Sequence, residues 1–481
     1  MKMVKGRLAF GLALAAAVGC STVREAREAQ TTLAAKGNDA AAGVAAEKVD
    51  LRGWPLARLV EFALTNRPSV VSKTLAVRDA RLALKALAAD APILSDTPWT
   101  APKLSVSGGH SESSEAVQID DGDLWRTRGG PSAALSLELL VYDFGRYAAK
   151  ARAQAEQVVA SEQSLADEGF AVFQEVATAY FDFFERRALL EVAQTNAQQY
   201  AEHLTQAEER RAAGEANRLD VLRARLDLAQ ARQAVVAASN RVETTGATLL
   251  QALGVDVARG TWQTAFGTDP VGVDSVRRGF AATDEDVGAA FAFARTNAPA
   301  LRVARAKLRA ASHTVDAAIA DLYPSVSATA SLSWTDPLWV FRWGVTASQT
   351  LFQGFRKTTA VDRAVVALES AAADVDAAEQ QLSVELETAV ANRDNAREAV
   401  TSARASVRSA AENLETVRAQ FAVGSASRVE LSEAIASDSQ ARGDCITAFY
   451  DGQRAEAALF ARTGRLPRFR EEAVAHLPFV R

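Results

Sequence analysis

The sequence AAGEANRLDVLRA at residues 212–224 returns in altered form as AVGSASRVELSEA at residues 422–434. Each stretch contains a glycine, then small or polar residues, then an Arg followed by an apolar, an acidic and another apolar residue. The two glycines, Gly214 and Gly424, are 210 residues apart. Similar segments at a fixed spacing indicate an internal duplication, so further matched pairs are expected along the chain.

The duplication extends well beyond these two stretches. VYDFGR from Val141 matches LFQGFR from Leu351 with the same offset of 210, whereas FALTNRPSV from Phe62 matches FARTNAPAL from Phe293 with an offset of 231. The difference of 21 residues predicts extra length in the first copy, between about residues 90 and 140. The predicted organisation is a first repeat at 51–254, a linker at 255–282, a second repeat at 283–464 and a C-terminal tail at 465–481.

The composition favours long helices and argues against nucleic acid as a partner. The 481 residues exceed the usual size of one hydrophobic core, and only 12 of them are Pro. Runs rich in Ala, Glu, Gln and Arg are typical of long helices that pack closely through alanine. The formal net charge is −5, and Lys and Arg are scattered rather than clustered, so nucleic acid is excluded as the main partner.

The N-terminus has the layout of an export signal. Lys2, Lys5 and Arg7 precede an apolar run at residues 8–18 that is too short to span a bilayer. We therefore predict a signal peptide at residues 1–19.

The end of this signal, AVGC, resembles the lipobox of bacterial lipoproteins, although Ala17 stands where leucine is usual. The resemblance implies that Cys20 is lipidated, becomes the first mature residue and begins a lipid-anchored extended segment at 20–50. The alternative is cleavage after a nearby small residue, with Cys20 as a bystander. Apart from this covalent lipid, no cofactor is expected.

Each repeat is predicted to open with a helix and to end with a long helical hairpin. Apolar positions recur at helical spacing over residues 55–89 and 283–321, where Pro68 and Pro299 predict a break or kink. Residues 148–213 contain no proline and would reach about 100 Å as one helix. A helix of that length is not buried in a globule. A short turn and a second helical stretch follow it directly, so the chain is predicted to reverse and form a helical hairpin.

The stretches quoted first are then the tips of two helical hairpins. Gly214 and Gly424 can take the left-handed conformation that ends a helix, and Asn217 and Ser427 can cap the helix that follows.

Between the helices, alternating sequence predicts strands with one polar and one apolar face. The predicted strands are residues 103–107, 135–141, 325–334 and 339–352. The polar, Gly-rich residues 108–132 are predicted to form an exposed loop that accounts for most of the extra length. Bilayer-crossing strands need about 9 to 11 residues, but four strands cannot close a barrel and would leave edge groups unpaired in lipid. Several chains must therefore pool their strands.

In this order of elements the sequence resembles the TolC-like outer membrane efflux proteins. The resemblance rests on LTNRPSV and RTNAPAL, on YDFGR and FQGFR, on VATAYFDF and on the two tip stretches. It implies a mainly α fold with a membrane β-barrel, in which a homotrimer forms a twelve-stranded barrel in outer-membrane lipid and coiled-coil hairpins continue it as a periplasmic α-barrel. It also implies an efflux exit duct, with a periplasmic adaptor and an inner-membrane pump docking at the tips. The lipoprotein-like start is more similar to members that serve multidrug or metal pumps than to those that serve protein secretion.

Two groups of candidate site residues follow. The family resemblance suggests gating and adaptor contact at Leu219, Asp220, Val429 and Glu430, just beyond the turns, although intra-tunnel packing and solvated acids are equally compatible. The full tip set is Gly214, Asn217, Leu219, Asp220, Gly424, Ser427, Val429 and Glu430, and pure turn chemistry would also explain the glycines and caps. The predicted membrane-interface aromatics are Trp334, Trp339, Phe341 and Trp343.

Alternative functions are a duct for type I protein secretion and, in a different class, a periplasmic coiled-coil scaffold lipoprotein without a channel. An enzyme is not predicted, because the sequence contains no phosphate-binding Gly-rich loop and suggests no nucleophile with a nearby base. A metal site is not predicted either, since the four histidines share no ligand spacing.

Overall fold

The computed structural model of the chain describes residues 26–31, 44–45, 51, 54–88, 91–92, 103–119, 122–214, 217–256, 287–335 and 338–465. The predicted signal peptide, Cys20, most of the segment 20–50, most of the linker and the tail beyond residue 465 lie outside these residues.

Nine helices and six strands lie in the described part of the chain. The helices are α1 at 26–31, α2 Leu56–Asn66, α3 Pro68–Ala88, α4 Arg146–Ala212, α5 Arg218–Ala252, α6 Val287–Asn297, α7 Pro299–Ala320, α8 Arg356–Ala422 and α9 Arg428–Thr463. The strands are β1 Val44–Ala45, β2 Lys103–Ile119, β3 Gly122–Tyr142, β4 Val255–Asp256, β5 Ser325–Thr335 and β6 Leu338–Ser348.

The internal duplication is confirmed by the lengths of these elements. Helices α4 and α8 each contain 67 residues and begin 210 residues apart, and α2 and α6 each contain 11 residues and begin 231 residues apart. At 1.5 Å per residue, α4 and α8 are each about 100 Å long. Helix α4 packs against α5, α8 packs against α9, and α4 also packs against α9, so the two hairpins of the chain lie side by side.

The predicted helix breaks occur at the residues that precede the two prolines. Arg67 has φ −68° and ψ 129°, and Ala298 has φ −57° and ψ 122°. A proline ring clashes with a preceding residue in the helical conformation and drives it into the extended region. Each opening segment is therefore two helices, as Pro68 and Pro299 predicted.

The hairpins of the two repeats form one antiparallel sheet in the order β2-β3-β5-β6. In this sheet Leu135 lies opposite Leu332, which in turn lies opposite Phe341. The pairing therefore extends the predicted apolar face across the strands.

Two predictions about the strands were wrong. Residues 108–132 are not a loop: β2 and β3 pair continuously from Lys103 with Glu138 to Ile119 with Gly122. Backbone pairing in a two-stranded ribbon needs no apolar alternation, which is why this polar stretch gave no strand signal. Strand β6 ends at Ser348 instead of residue 352, because its last partner, Ser325, is the first residue of β5.

The main core lies where the opening helices pack against the long hairpins. Its fully buried members include Leu59, Phe173, Phe183 and Leu249. A second cluster around Leu301 and Leu386 uses the corresponding helices of the second repeat. None of the described helices is both long and apolar enough to cross a membrane.

Candidate functional site

One face of the four-stranded sheet is apolar and uncovered. On β6, the side chains of Phe341 and Trp343 are 65% and 77% exposed, and Val345 on the same face is also exposed. On β2, Leu104 and Val106 are exposed as well. An apolar surface of this extent on a two-faced sheet is typical of contact with lipid.

The opposite face of the sheet is polar. The hydroxyls of Ser105 and Ser136 lie 2.6 Å apart across β2 and β3, and those of Ser325 and Ser348 lie 3.3 Å apart across β5 and β6. A strand with one lipid face and one wet face alternates in this way in membrane barrels.

Both long edges of the sheet are open. Within the described residues, β2 pairs only with β3 and β6 pairs only with β5. The backbone N–H and C=O groups on the outer edges would have no partners in lipid, where water cannot replace them. The sheet therefore requires further strands to close it.

The predicted aromatics occupy different heights along the strands. Trp334 and Trp339 lie opposite each other at the hairpin end, with ring centroids 6.3 Å apart. Phe341 lies two residues further along β6, and Trp343 lies near the middle of that strand. The assignment of all four to a membrane-interface girdle stays a prediction.

Sequence reasoning missed a second aromatic group at the opposite end of the strands. Tyr142 packs against Phe144 at a centroid distance of 4.8 Å, and Phe144 stacks on Tyr323 at 5.7 Å. Phe352 packs edge-on against Phe355 at 5.5 Å. The aromatic residues of the YDFGR and LFQGFR stretches could have indicated this group, because both stretches lie where strand passes into helix.

These two corners share an unusual backbone. Phe144 and Gly145 both have positive φ, 53° and 86°, and Gly354 and Phe355 both have positive φ, 59° and 62°. A left-handed conformation costs a non-glycine residue about 1 to 2 kcal/mol. Each repeat thus turns from strand to helix through one glycine and one phenylalanine, placed in opposite order.

The hairpin tips have the predicted geometry. Gly214 and Gly424 are left-handed, with φ 80° and 79°. The Asn217 side chain accepts a hydrogen bond from the Leu219 N–H at 2.7 Å, and the Asp220 carboxylate accepts one from the Asn217 N–H at 3.3 Å.

The second tip repeats this arrangement. The Ser427 hydroxyl accepts from the Glu430 N–H at 3.2 Å, and the Glu430 carboxylate accepts from the Ser427 N–H at 2.7 Å. Both acids therefore belong to reciprocal caps. Leu219 and Val429 are 46% and 48% exposed, so they present apolar surface outside the chain's own packing.

Contacts between the two hairpins, missed from sequence, lie just above the tips. Arg428 on α9 places Nη1 3.1 Å from the Asp227 carboxylate and Nε 3.9 Å from that of Asp220. Arg210 on α4 donates to the Phe421 carbonyl at 2.9 Å and lies 4.3 Å from the centre of its ring. We refer to these residues as the tip cluster.

Above the tip cluster the hairpins share an apolar contact. Its buried members are Tyr200, Leu228, Ala231, Leu414, Leu431, Ala434 and Ile435. The Tyr200 hydroxyl donates to the Ser432 carbonyl at 3.4 Å, and burial raises the pKa of this phenol.

Ion pairs and the main core join the hairpins near their middle. Glu185 on α4 is almost fully buried, and its carboxylate lies 2.7 Å from Arg454 on α9. Arg454 also pairs with Asp182 on α4. Removing one partner of such a buried pair is strongly destabilising, so this level fixes the hairpins together.

Within the described part of the chain, no group of three or more His, Cys, Asp or Glu residues is placed to hold a metal ion. The sheet and the long helices together have the shape expected of one segment of a tube. An apolar sheet face with open edges, continued by two helices about 100 Å long, is typical of a duct subunit whose strands lie in a membrane and whose helices extend away from it.

The sequence model of the outer membrane efflux proteins matches residues 60–255 and 293–465, so this chain belongs to the outer membrane efflux protein family. Each matched segment lies almost entirely within one of the two predicted repeats. The protein is accordingly an outer-membrane exit duct of the efflux type, extending into the periplasm.

Solved structures share this fold. CusC is 20% identical, with 85% of this chain and 92% of that chain covered and a TM-score of 0.74. A membrane protein from Pseudomonas aeruginosa is 23% identical, with 87% and 95% covered and a TM-score of 0.73. The outer membrane protein VceC from Vibrio cholerae is 18% identical, with 85% and 96% covered and a TM-score of 0.71. No curated protein matches the chain.

Proposed function

We propose that three copies of this chain close one twelve-stranded barrel and form the exit duct of a tripartite efflux pump. A periplasmic adaptor and an inner-membrane pump would dock at the helical tips and supply the energy. The observation that supports the proposal most is the four-stranded sheet with an uncovered apolar face and two open edges. Three such sheets supply twelve strands, which is more than the roughly eight that the smallest barrels need.

The trimer can be tested by mass and by cross-linking. Native mass spectrometry of detergent-purified protein should give the mass of three chains of 51.2 kDa less their signals. A cysteine at Ser105 on β2 should form disulfides with a cysteine at Arg342, Gly344 or Thr346 on β6 of another copy. Two strands separate these positions within one chain, which places them about 14 Å apart and beyond disulfide reach.

The cross-linked products would be dimers and trimers in denaturing gels. A pair of cysteines at Ser105 and Ser136, which face each other within one chain, is the matched control and should yield monomers only. A stable water-soluble monomer without intermolecular disulfides would contradict the duct and favour the scaffold.

We also propose that Cys20 carries the lipid anchor, on the strength of the lipobox-like junction. Changing Cys20 to Ser should abolish labelling of the exported protein by a radioactive or clickable fatty acid. Unchanged labelling would contradict this assignment, whereas the barrel strands should insert in both proteins.

A further inference from the structure

His203 is a buried, unpaired histidine at the junction of the two hairpins. It lies on α4 and is only 3% exposed. Its ring lies 5.8 Å from that of Phe421, and neither ring nitrogen has a hydrogen-bond partner in the described structure. A buried imidazole in this condition is accommodated far better when neutral than when protonated.

The charged groups around His203 come from three helices. Arg210 lies on the same helix, Arg428 faces it from α9 and Asp227 faces it from α5, while α8 contributes the Phe421 ring. Asp227 is already paired with Arg428 at 3.1 Å, so it does not offset both arginines. Burial, followed by the charge of Arg428, lowers the pKa of His203 below its ordinary value of 6.5.

The same arginines join the hairpins. Arg428 crosses from the second hairpin to Asp227 on the first, and Arg210 crosses in the opposite direction to the Phe421 carbonyl. A positive charge on His203 would repel both arginines and would require water to enter the contact. Separation of the hairpins at this level satisfies both requirements, whereas the Glu185–Arg454 pair continues to hold them near their middle.

We propose that His203 is a proton-operated release for the hairpin tips, so that acidification separates the two hairpins of each chain locally. This proposal deepens the proposed duct function by assigning a regulator to its periplasmic end. Its primary test needs no conducting channel.

The direction of the pH effect follows from proton linkage. The packed state holds His203 with a lowered pKa, and the separated state exposes it with an ordinary one, so the separated state binds more protons. The stabilisation of the packed state is fully present above about pH 6.5 and is lost as the pH falls toward the lowered pKa. Acidification from about pH 7.5 to about pH 5.5 shifts the equilibrium toward separation by up to about tenfold per chain.

Hydrogen exchange of the full-length trimer is the primary measurement. Protection factors, corrected for the intrinsic effect of pH, are compared at the two pH values for peptides covering residues 197–214 and 414–435. The parent should lose up to about tenfold in protection on acidification. His203→Gln and His203→Phe, which cannot be protonated in this range, should lose none. His313→Gln is the matched control, because that histidine lies on α7 beside Asp316, and it should behave as the parent does.

Equal pH sensitivity in the parent and in whichever His203 variant folds would overturn the proposal. Single-channel conductance in planar bilayers separates this proposal from the duct function. A His203-dependent loss of protection without any conductance supports the release and contradicts the duct. Conductance with protection that is indifferent to His203 leaves the duct standing and overturns the release.

Discussion

Arg428 is the residue whose substitution should loosen the tips most. Its ion pair with Asp227 and its longer approach to Asp220 both cross from one hairpin to the other. The Arg428 side chain is 16% exposed and that of Asp227 is 22% exposed, so the free-energy cost of breaking this pair lies between that of an exposed pair and that of a fully buried one. Exposed pairs contribute about 0 to 1 kcal/mol, and breaking a fully buried pair costs about 3 to 5 kcal/mol.

We therefore expect Arg428→Gln to destabilise the packed tips by about 1 to 3 kcal/mol per chain, which raises the separated population by roughly 5- to 150-fold. Hydrogen exchange at about pH 7.5 should show this loss in the tip peptides and not in the barrel strands. Mean single-channel conductance should rise with trimer mass unchanged. The variant also removes a positive charge beside His203, so the pKa of His203 should be lowered less in the packed state and the loss of tip protection on acidification should become smaller.

Arg225→Gln is the matched control for this experiment. Arg225 pairs with Glu208 at 2.8 Å, but both residues belong to the first hairpin and both side chains are largely exposed. Its loss should change tip protection by no more than a few-fold. The reasoning is refuted if Arg428→Gln and Arg225→Gln behave alike, or if Arg428→Gln combined with Asp227→Asn gives the simple sum of the two single effects.

Three further outcomes are expected. Ser427→Ala should destabilise the start of α9 by about 1 kcal/mol, measured as faster exchange confined to its first turns; uniform exchange along α9 would contradict the cap. Trp343→Lys on the apolar face should impair membrane insertion by about 2 to 4 kcal/mol per chain, whereas Thr346→Lys on the polar face should not; equal yields of inserted trimer would refute the assignment of faces. Replacing residues 110–130 by a tight turn should leave trimer mass and heat stability unchanged, since β3 pairs with β5 only from Ser132 onward; loss of the trimer would show that the ribbon supports the barrel.

The sequence predicted the features that depend on short-range chemistry. The breaks before Pro68 and Pro299 follow from the shape of the proline ring, and the tips at Gly214 and Gly424 follow from a backbone conformation that glycine favours. The 67-residue helices follow from long stretches without a breaker. Each of these features is determined within a few residues of the position that encodes it.

Features that depend on pairing over long distances were not visible in the sequence. The part of the β2–β3 ribbon that precedes Ser132 on β3 is held by backbone pairing between polar segments. Such pairing leaves no alternation of apolar residues to detect. Asp227 and Arg428 are 201 residues apart, and no local pattern singles out either residue. His203 gave no signal because a lone histidine in a helical pattern is unremarkable until its neighbours on three other helices are known.

The two repeats have kept the backbone requirements of the duplication while their side-chain contacts have diverged. Glu175 and Glu385 occupy equivalent positions, yet Glu175 pairs with Arg67, at the break between α2 and α3, and Glu385 pairs with Arg462 at the end of α9. The position equivalent to Arg67 in the second repeat is Ala298, which cannot form an ion pair.

The same divergence restricts His203 and the tip cluster beside it to the junction between the two hairpins of one chain. With the offset of 210 residues, the positions equivalent to His203, Asp227 and Arg428 are Asn413, Ser437 and Arg218. Only the arginine is retained, so a junction formed by the equivalent positions has neither the titratable imidazole nor the carboxylate. In the proposed ring of three chains, junctions within a chain and junctions between chains would alternate. Protonation would then act only on the three junctions within chains, so the six junctions of the ring would be of two alternating kinds. A ring of identical hairpins could not have this property.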